Sequence, residues 1–303
     1  MPPAPRPDNK ALGILLAVLA FALYSVTDAT VKALSARMSV PQIIVGNGLF
    51  SLVPIIGYAA WSGGLRFLRP RRPLLHLARA TCGLFSGFLA YYGYSQMPIA
   101  DAYALSFTAP LFITALSVPM LGEKVGWRRW TAVAVGFLGV MVMLRPGSGS
   151  LNPAALGILA GAALYSMGMM ITRLARATDS AVSFAFSTTI VGLAVWGATL
   201  PWLAVAPTMD DLVLHALGGT CVGIAIVLLL SGFRLAPAAV VAPFQYTQIL
   251  WGVALGWLLF GDRPTAPMLL GAGIVIASGL YILYRETVLG RQRAAAAPPR
   301  EAA

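Results

Sequence analysis

Several side chains set deep in apolar stretches carry groups that could do chemistry. Tyr24, Tyr91, Tyr165 and Tyr246 bring phenols, Asn47 and Gln248 bring amides, and Thr108 brings a hydroxyl. In hydrocarbon each such group is costly unless it finds a partner, so these residues are expected to face the inside of a helix bundle. The chemistry is recognition rather than bond breaking. Phenol rings could clamp a planar or cationic solute, and an amide offers both donors and acceptors to its polar edge. Packing within the bundle is the alternative use of the same tyrosines. Asp28 and Lys32 are four residues apart, the spacing of a pair on one helix face. They are read either as a snorkelling pair near the outer end of their helix or as a gating or coupling pair. Pro110 lacks a backbone donor and predicts a kink in mid-helix, where a freed carbonyl could face a cavity.

The composition says what must position these groups. Of 303 residues, 58% are hydrophobic and 10% charged, with a mean hydropathy of +0.80. A soluble domain carries about 25% charged residues, and the bilayer has to serve as solvent for much of this surface. The net charge of +11 does not form a basic face, because Lys and Arg lie between apolar runs. Nucleic acid is therefore not the expected partner. Cys82 and Cys221 read as small buried hydrophobes, and His76 and His215 stand alone without ligand spacing. No metal or cofactor is implied. HExxH, GxSxG and GxxxxGK[ST] patterns are all absent, which argues against an enzyme.

Segments of about 20 apolar residues can cross a membrane as helices. Ten such spans are expected: 11–32, 40–61, 74–97, 99–121, 128–144, 154–175, 181–205, 212–235, 238–260 and 267–284. With the N-terminus in the cytoplasm, 16 Lys and Arg fall on the cytoplasmic side and 4 on the other. That imbalance predicts an inner-membrane protein with both termini cytoplasmic. Arg79, just inside the third span, is expected to snorkel to the cytoplasm. Trp61, Trp127, Trp130 and Trp202 sit at helix ends, as interfacial aromatics do.

The second half echoes the first. Ala11–Leu15 recurs as Ala155–Leu159, and Tyr24-Ser25 recurs as Tyr165-Ser166. Pro98 and Pro237 stand 139 residues apart, as do Gly122-Glu123 and Gly261-Asp262. Five helices per half put the copies into the membrane from opposite sides, the inverted arrangement of many secondary transporters. The expected fold class is an all-α membrane protein of ten transmembrane helices in two inverted five-helix repeats. Its expected divisions are a tail at 1–10, repeats at 11–146 and 153–286, and a disordered tail at 287–303.

The closes of the two halves carry a family resemblance. The first has Pro98-Ile99-Ala100-Asp101-Ala102, Ser106-Phe107-Thr108-Ala109-Pro110, Leu121-Gly122-Glu123-Lys124, Gly136–Val140 and Arg145-Pro146. The second has Pro237, Tyr246-Thr247-Gln248, Gly261-Asp262 and Gly271 to Gly279. The chain resembles the EamA family of the drug/metabolite transporter superfamily over residues 11–286. Its stretch Tyr24–Lys32 is similar to a branch with S-adenosylmethionine- and riboflavin-type carriers. The resemblance implies ten helices, a central cavity and no enzymatic step. It departs from the family at Asn47, where an Arg is often found, at Ile249, which stands opposite Pro110, and at Asp262, where Glu is usual.

The expected function is secondary transport of a small metabolite by alternating access. That solute is amino-acid-like, nucleoside-like or aromatic or heterocyclic. A channel or a non-transporting membrane scaffold is the alternative, with a membrane-embedded enzyme behind it. The lipid bilayer and the solute are the expected partners, and the protein is expected as a monomer or homodimer.

Overall fold

Helix ends are set by short-range capping. Asn9 Oδ1 accepts the Leu12 amide at 3.0 Å and starts α1, Lys10–Leu34. The computed structural model describes residues 9–62, 64–122, 125–144, 152–175, 179–236 and 238–285. Most of both expected tails, Glu123-Lys124, most of the link between the halves and Pro237 lie outside the described residues. After α1 come α2 Val40–Ser62, α3 Pro73–Gln96, α4 Ile99–Ser106, α5 Ala109–Leu121 and α6 Trp127–Leu144. There follow α7 Pro153–Ala175, α8 Ala181–Gly197, α9 Leu200–Leu203, α10 Met209–Leu235, α11 Ala238–Val241, α12 Gln248–Phe260 and α13 Ala266–Tyr284. No strand occurs among the described residues. Seven helical stretches there are long and apolar enough to cross a membrane, and α8 is a shorter apolar helix.

Three expected spans are not continuous. The helix over 99–121 breaks at Phe107-Thr108, so Pro110 lies in the first turn of α5 and does not kink a mid-helix. The reason is geometric: a first-turn proline lacks only an amide that would be unpaired anyway. The stretch 238–260 breaks likewise, with a 3₁₀ segment at Ala242–Thr247 that has Pro243 in its first turn. Thr108 and Thr247 precede the resumed helices. Each donates its hydroxyl to the carbonyl three residues back, Leu105 or Phe244, at 2.7 Å. Both resumed helices end on glycines in the left-handed region, Gly122 at φ 66° and Gly261 at φ 69°, where a side chain would be strained. The stretch 181–205 breaks at Ala198-Thr199, ahead of Pro201 in α9.

The helix contacts come in matched sets. α1 packs on α10, and α7 packs on α3. α2 meets α10, α8 meets α3, and α2 and α8 also meet each other. α12 reaches α1, α5 reaches α7, and α6 packs on α13. Along that last contact the backbones touch: a Cβ on Gly271 would stand 2.6 Å from the Gly139 carbonyl oxygen. The main core lies between these sets, with Tyr103, Ile99, Ile158 and Val275 fully buried. Large apolar side chains such as Leu15, Val53, Leu138 and Leu258 point outward, the surface expected of helices solvated by lipid. Trp61, Trp127, Trp130 and Trp202 are exposed too.

Candidate functional site

Beside the two helix breaks lies a cavity of about 330 Å³, in the range of small-molecule sites. α1 contributes Phe21 and Tyr24, and α3 contributes Ser86, Ala90 and Tyr94. The first break supplies Tyr103, Ser106, Phe107 and Ala109, and the second supplies Gln245 and Gln248. α7 adds Ile158, Gly161, Ala162 and Tyr165, and α10 adds Leu229. The wall is mainly aromatic, with two amides and two serine hydroxyls. It can stack a flat solute and bond its polar edge. Three of the four polar lining side chains, Ser106, Gln245 and Gln248, come from the segments around the two breaks. At the first break the Ala109 carbonyl also accepts the Ser166 hydroxyl of α7 at 3.0 Å.

Three of the residues picked from the sequence meet here: Tyr24, Tyr165 and Gln248. Tyr165 is 43% exposed although its helix packs inside the bundle, because its ring faces the cavity. Four others do not line it. Tyr91 packs against the core next to Tyr94, with ring centroids 6.3 Å apart. Thr108 is fully buried and its hydroxyl is spent on the break. Tyr246 packs edge-on against Phe107 at 5.0 Å, and its hydroxyl lies against Gly279. Asn47 Oδ1 accepts from His215 Nδ1 at 3.0 Å, between α2 and α10. Gln245, Tyr103 and Phe107 were missed. Pro243 was the available signal for Gln245, since a proline in an apolar run marks a break.

The expected Asp28–Lys32 pair does not form. Asp28 is buried, and the Tyr103 hydroxyl donates to its Oδ2 at 2.6 Å. Lys32 instead bridges to Asp262 Oδ2 at 2.5 Å, donates to the Met97 carbonyl at 3.3 Å and lies 4.9 Å from the Phe260 ring centroid. Helix spacing made the local pair possible, but tertiary partners took both groups. Lys32 thereby ties α1 to the ends of α3 and α12. On the same face Arg37 pairs with Asp211 at 3.0 Å, and Gln42 bonds Val205 through both its donor and its acceptor.

Neither histidine stands alone. His76 on α3 reaches Ser187 of α8 through Nδ1 at 2.9 Å and Asp179 through Nε2 at 3.0 Å, and stacks on Phe184 at 4.0 Å. His215 on α10 reaches Asn47 of α2 through Nδ1 and Met38 Sδ through Nε2 at 3.4 Å. The two are 139 residues apart, the spacing of the other repeat marks, and that spacing was the signal available. Each binds a helix of one half to a helix of the other.

Arg79 does not snorkel outward. Its Nε donates to Thr172 of α7 at 3.2 Å, and its side chain lies along Gly168. A Cβ on Gly83 would stand 2.7 Å from its Nη1, so the guanidinium reaches one turn further along α3, away from the helix start. Two glycines clear the slot it occupies.

Comparison with known proteins supplies the rest. The model of the EamA-like transporter family matches residues 11–145 and again 152–284. The chain is 29% identical over 279 residues to an S-adenosylmethionine uptake transporter of Rickettsia bellii, covering 91% of this chain and 94% of that one. It is 30% identical over 298 residues to a riboflavin transporter of Vibrio cholerae, covering 95% and 97%. It is also 28% identical over 285 residues to a riboflavin transporter of Rhizobium johnstonii, covering 93% and 94%. A solved crystal structure shares the fold at a TM-score of 0.61 and 20% identity, over 93% of this chain and 99% of that one. A bundle of apolar helices, a cavity and two matches to one family model agree: this multi-pass membrane protein belongs to the EamA-like transporter family and is a transporter, not an enzyme.

Proposed function

We propose that the protein is an inner-membrane carrier that moves a small heterocyclic or aromatic metabolite by alternating access. The single observation that carries this reading is the cavity, whose wall comes from helices of both half-chains. Ten spans in two inverted five-helix halves, 11–146 and 153–286, give it a mechanism. Support comes from the matched helix contacts and from two helix breaks whose threonines lie 139 residues apart. Discontinuous helices at mid-membrane recur where transporters bind their solutes. Both termini lie in the cytoplasm, as the distribution of Lys and Arg favours. The Lys32–Asp262 bridge then closes the outer end, and Tyr24, Tyr165 and Gln248 hold the solute.

The solute class follows from the lining. Phe21, Tyr24, Tyr94, Tyr103, Phe107 and Tyr165 present ring surface, and Gln245 and Gln248 offer both donors and acceptors. The named relatives carry S-adenosylmethionine or riboflavin. Each is a flat heterocycle with a flexible polar tail, a shape that suits this wall. Purified protein in liposomes, preloaded with unlabelled solute, should accumulate the labelled solute by counterflow. The panel is S-adenosylmethionine, riboflavin, aromatic amino acids and cationic dyes. Counterflow with none of them rejects the reading.

A further inference from the structure

We infer that Arg79 forms an anion-recognising end of the cavity, and that the transported solute carries a carboxylate, or an equivalent anionic group, which this guanidinium receives. The inference rests on the carrier reading and names the solute class more narrowly.

Geometry carries it. Arg79 is an arginine inside the bundle, where a charge is costly and is ordinarily paired or functional. It makes no ion pair among the described residues, and its one side-chain hydrogen bond there goes to the neutral Thr172 hydroxyl. A long side chain near a helix start could reach back to the interface. This one reaches inward, through a slot made by Gly83 of its own helix and Gly168 of α7, with the Thr188 methyl alongside. Each of those glycines lies one helical turn from a residue of the cavity wall: Ser86 follows Gly83 by three positions, and Tyr165 precedes Gly168 by three. The guanidinium thus lies about one helical turn beyond these wall residues and near Tyr165. Its planar fork matches a carboxylate in two parallel bonds.

The repeat sharpens the point. At the spacing of 139, the counterpart of Arg79 is Gly218, and at the spacing of the Tyr24–Tyr165 pair, the counterpart of Asp28 is Met169. The second half therefore has neither charge. Asp28 is bonded by Tyr103 of the cavity wall, and Arg79 lies near Tyr165 of that wall. The fold is doubled but these charges are not, so they are not demands of the fold.

The test is counterflow competition with matched pairs that differ by one carboxylate: S-adenosylmethionine against its decarboxylated form, and tryptophan against tryptamine. Wild-type protein should favour the carboxylate-bearing member by about 10- to 100-fold, the effect of one hydrogen bond between charged groups. Arg79→Gln should bring that ratio to near unity, and Arg79→Lys should keep part of it. Equal competition by both members in the wild type overturns the inference whatever the variants do, including a variant that fails to insert. A wild-type preference that survives in Arg79→Gln overturns it as well. Transport without a carboxylate preference, or transport of riboflavin or dyes but of neither pair, overturns the inference and leaves the carrier reading standing, whereas no transport of any member of the wider panel removes both.

Discussion

Replacing Asp262 with asparagine should loosen one face of the bundle by an amount the structure sets. The carboxylate holds Lys32 at 2.5 Å, with the two side chains 16% and 22% exposed. Asparagine keeps the size and one oxygen but removes the charge. A hydrogen bond to a charged group contributes about 1.5–3 kcal/mol, and partial exposure places this one toward the lower end. Since about 1.4 kcal/mol is a factor of ten, opening of this face should become about tenfold more frequent. Hydrogen exchange reads this directly. Peptides covering 257–266 and 28–38 should exchange about tenfold faster in Asp262→Asn, and Lys32→Ala should accelerate the same peptides. Asp210→Asn is the control, because Asp210 is exposed at the start of α10 on the same face. If Asp262→Asn stays within about twofold of wild type, or if the control changes as much, the bridge does not hold that face closed.

Other substitutions separate wall from packing. Gln248→Ala should raise the KM for counterflow, because its amide faces the cavity. Tyr246→Ala should instead lower the melting temperature, since removing a packed aromatic costs about 3–5 kcal/mol. Tyr103→Phe deprives buried Asp28 of its donor and should slow transport about tenfold, with Asp28→Asn adding little in that background. Gly271→Leu forces side-chain atoms against the Gly139 carbonyl and Met143, and should destabilise the protein by about 1–3 kcal/mol. Gly273→Leu, where a Cβ meets nothing within 4 Å, should leave the melting temperature in place.

Hydropathy located the helices well because a span needs little beyond length and apolarity. The expected 40–61 is observed as Val40–Ser62, and the expected 154–175 as Pro153–Ala175. The breaks were less legible. Pro110 signalled an interruption but not its form, since a proline suits the first turn of a new helix as well as a kink. The second break has Ile249 where the first has Pro110, and Pro243, which marks it, stands six residues earlier. Tyr24, Tyr165 and Gln248 were found because a polar group in hydrocarbon must turn inward. That rule cannot tell a cavity from a packed interior, and Thr108, Asn47, Tyr91 and Tyr246 went to the interior. Lys32 found a carboxylate 230 residues away, which no local spacing encodes.

The two histidines carry a consequence of their own. Each is a fastening between half-chains, yet they are made of different materials. His76 grips a carboxylate, Asp179, while His215 holds an amide and a thioether. Equal fastenings would leave a rocking machine balanced, spending as long tilted one way as the other. Unequal ones load the beam. If the protein rocks as proposed, the carboxylate in direct contact with His76, where His215 touches an amide and a thioether and has Asp211 only at longer range, gives it a preferred side on which to rest.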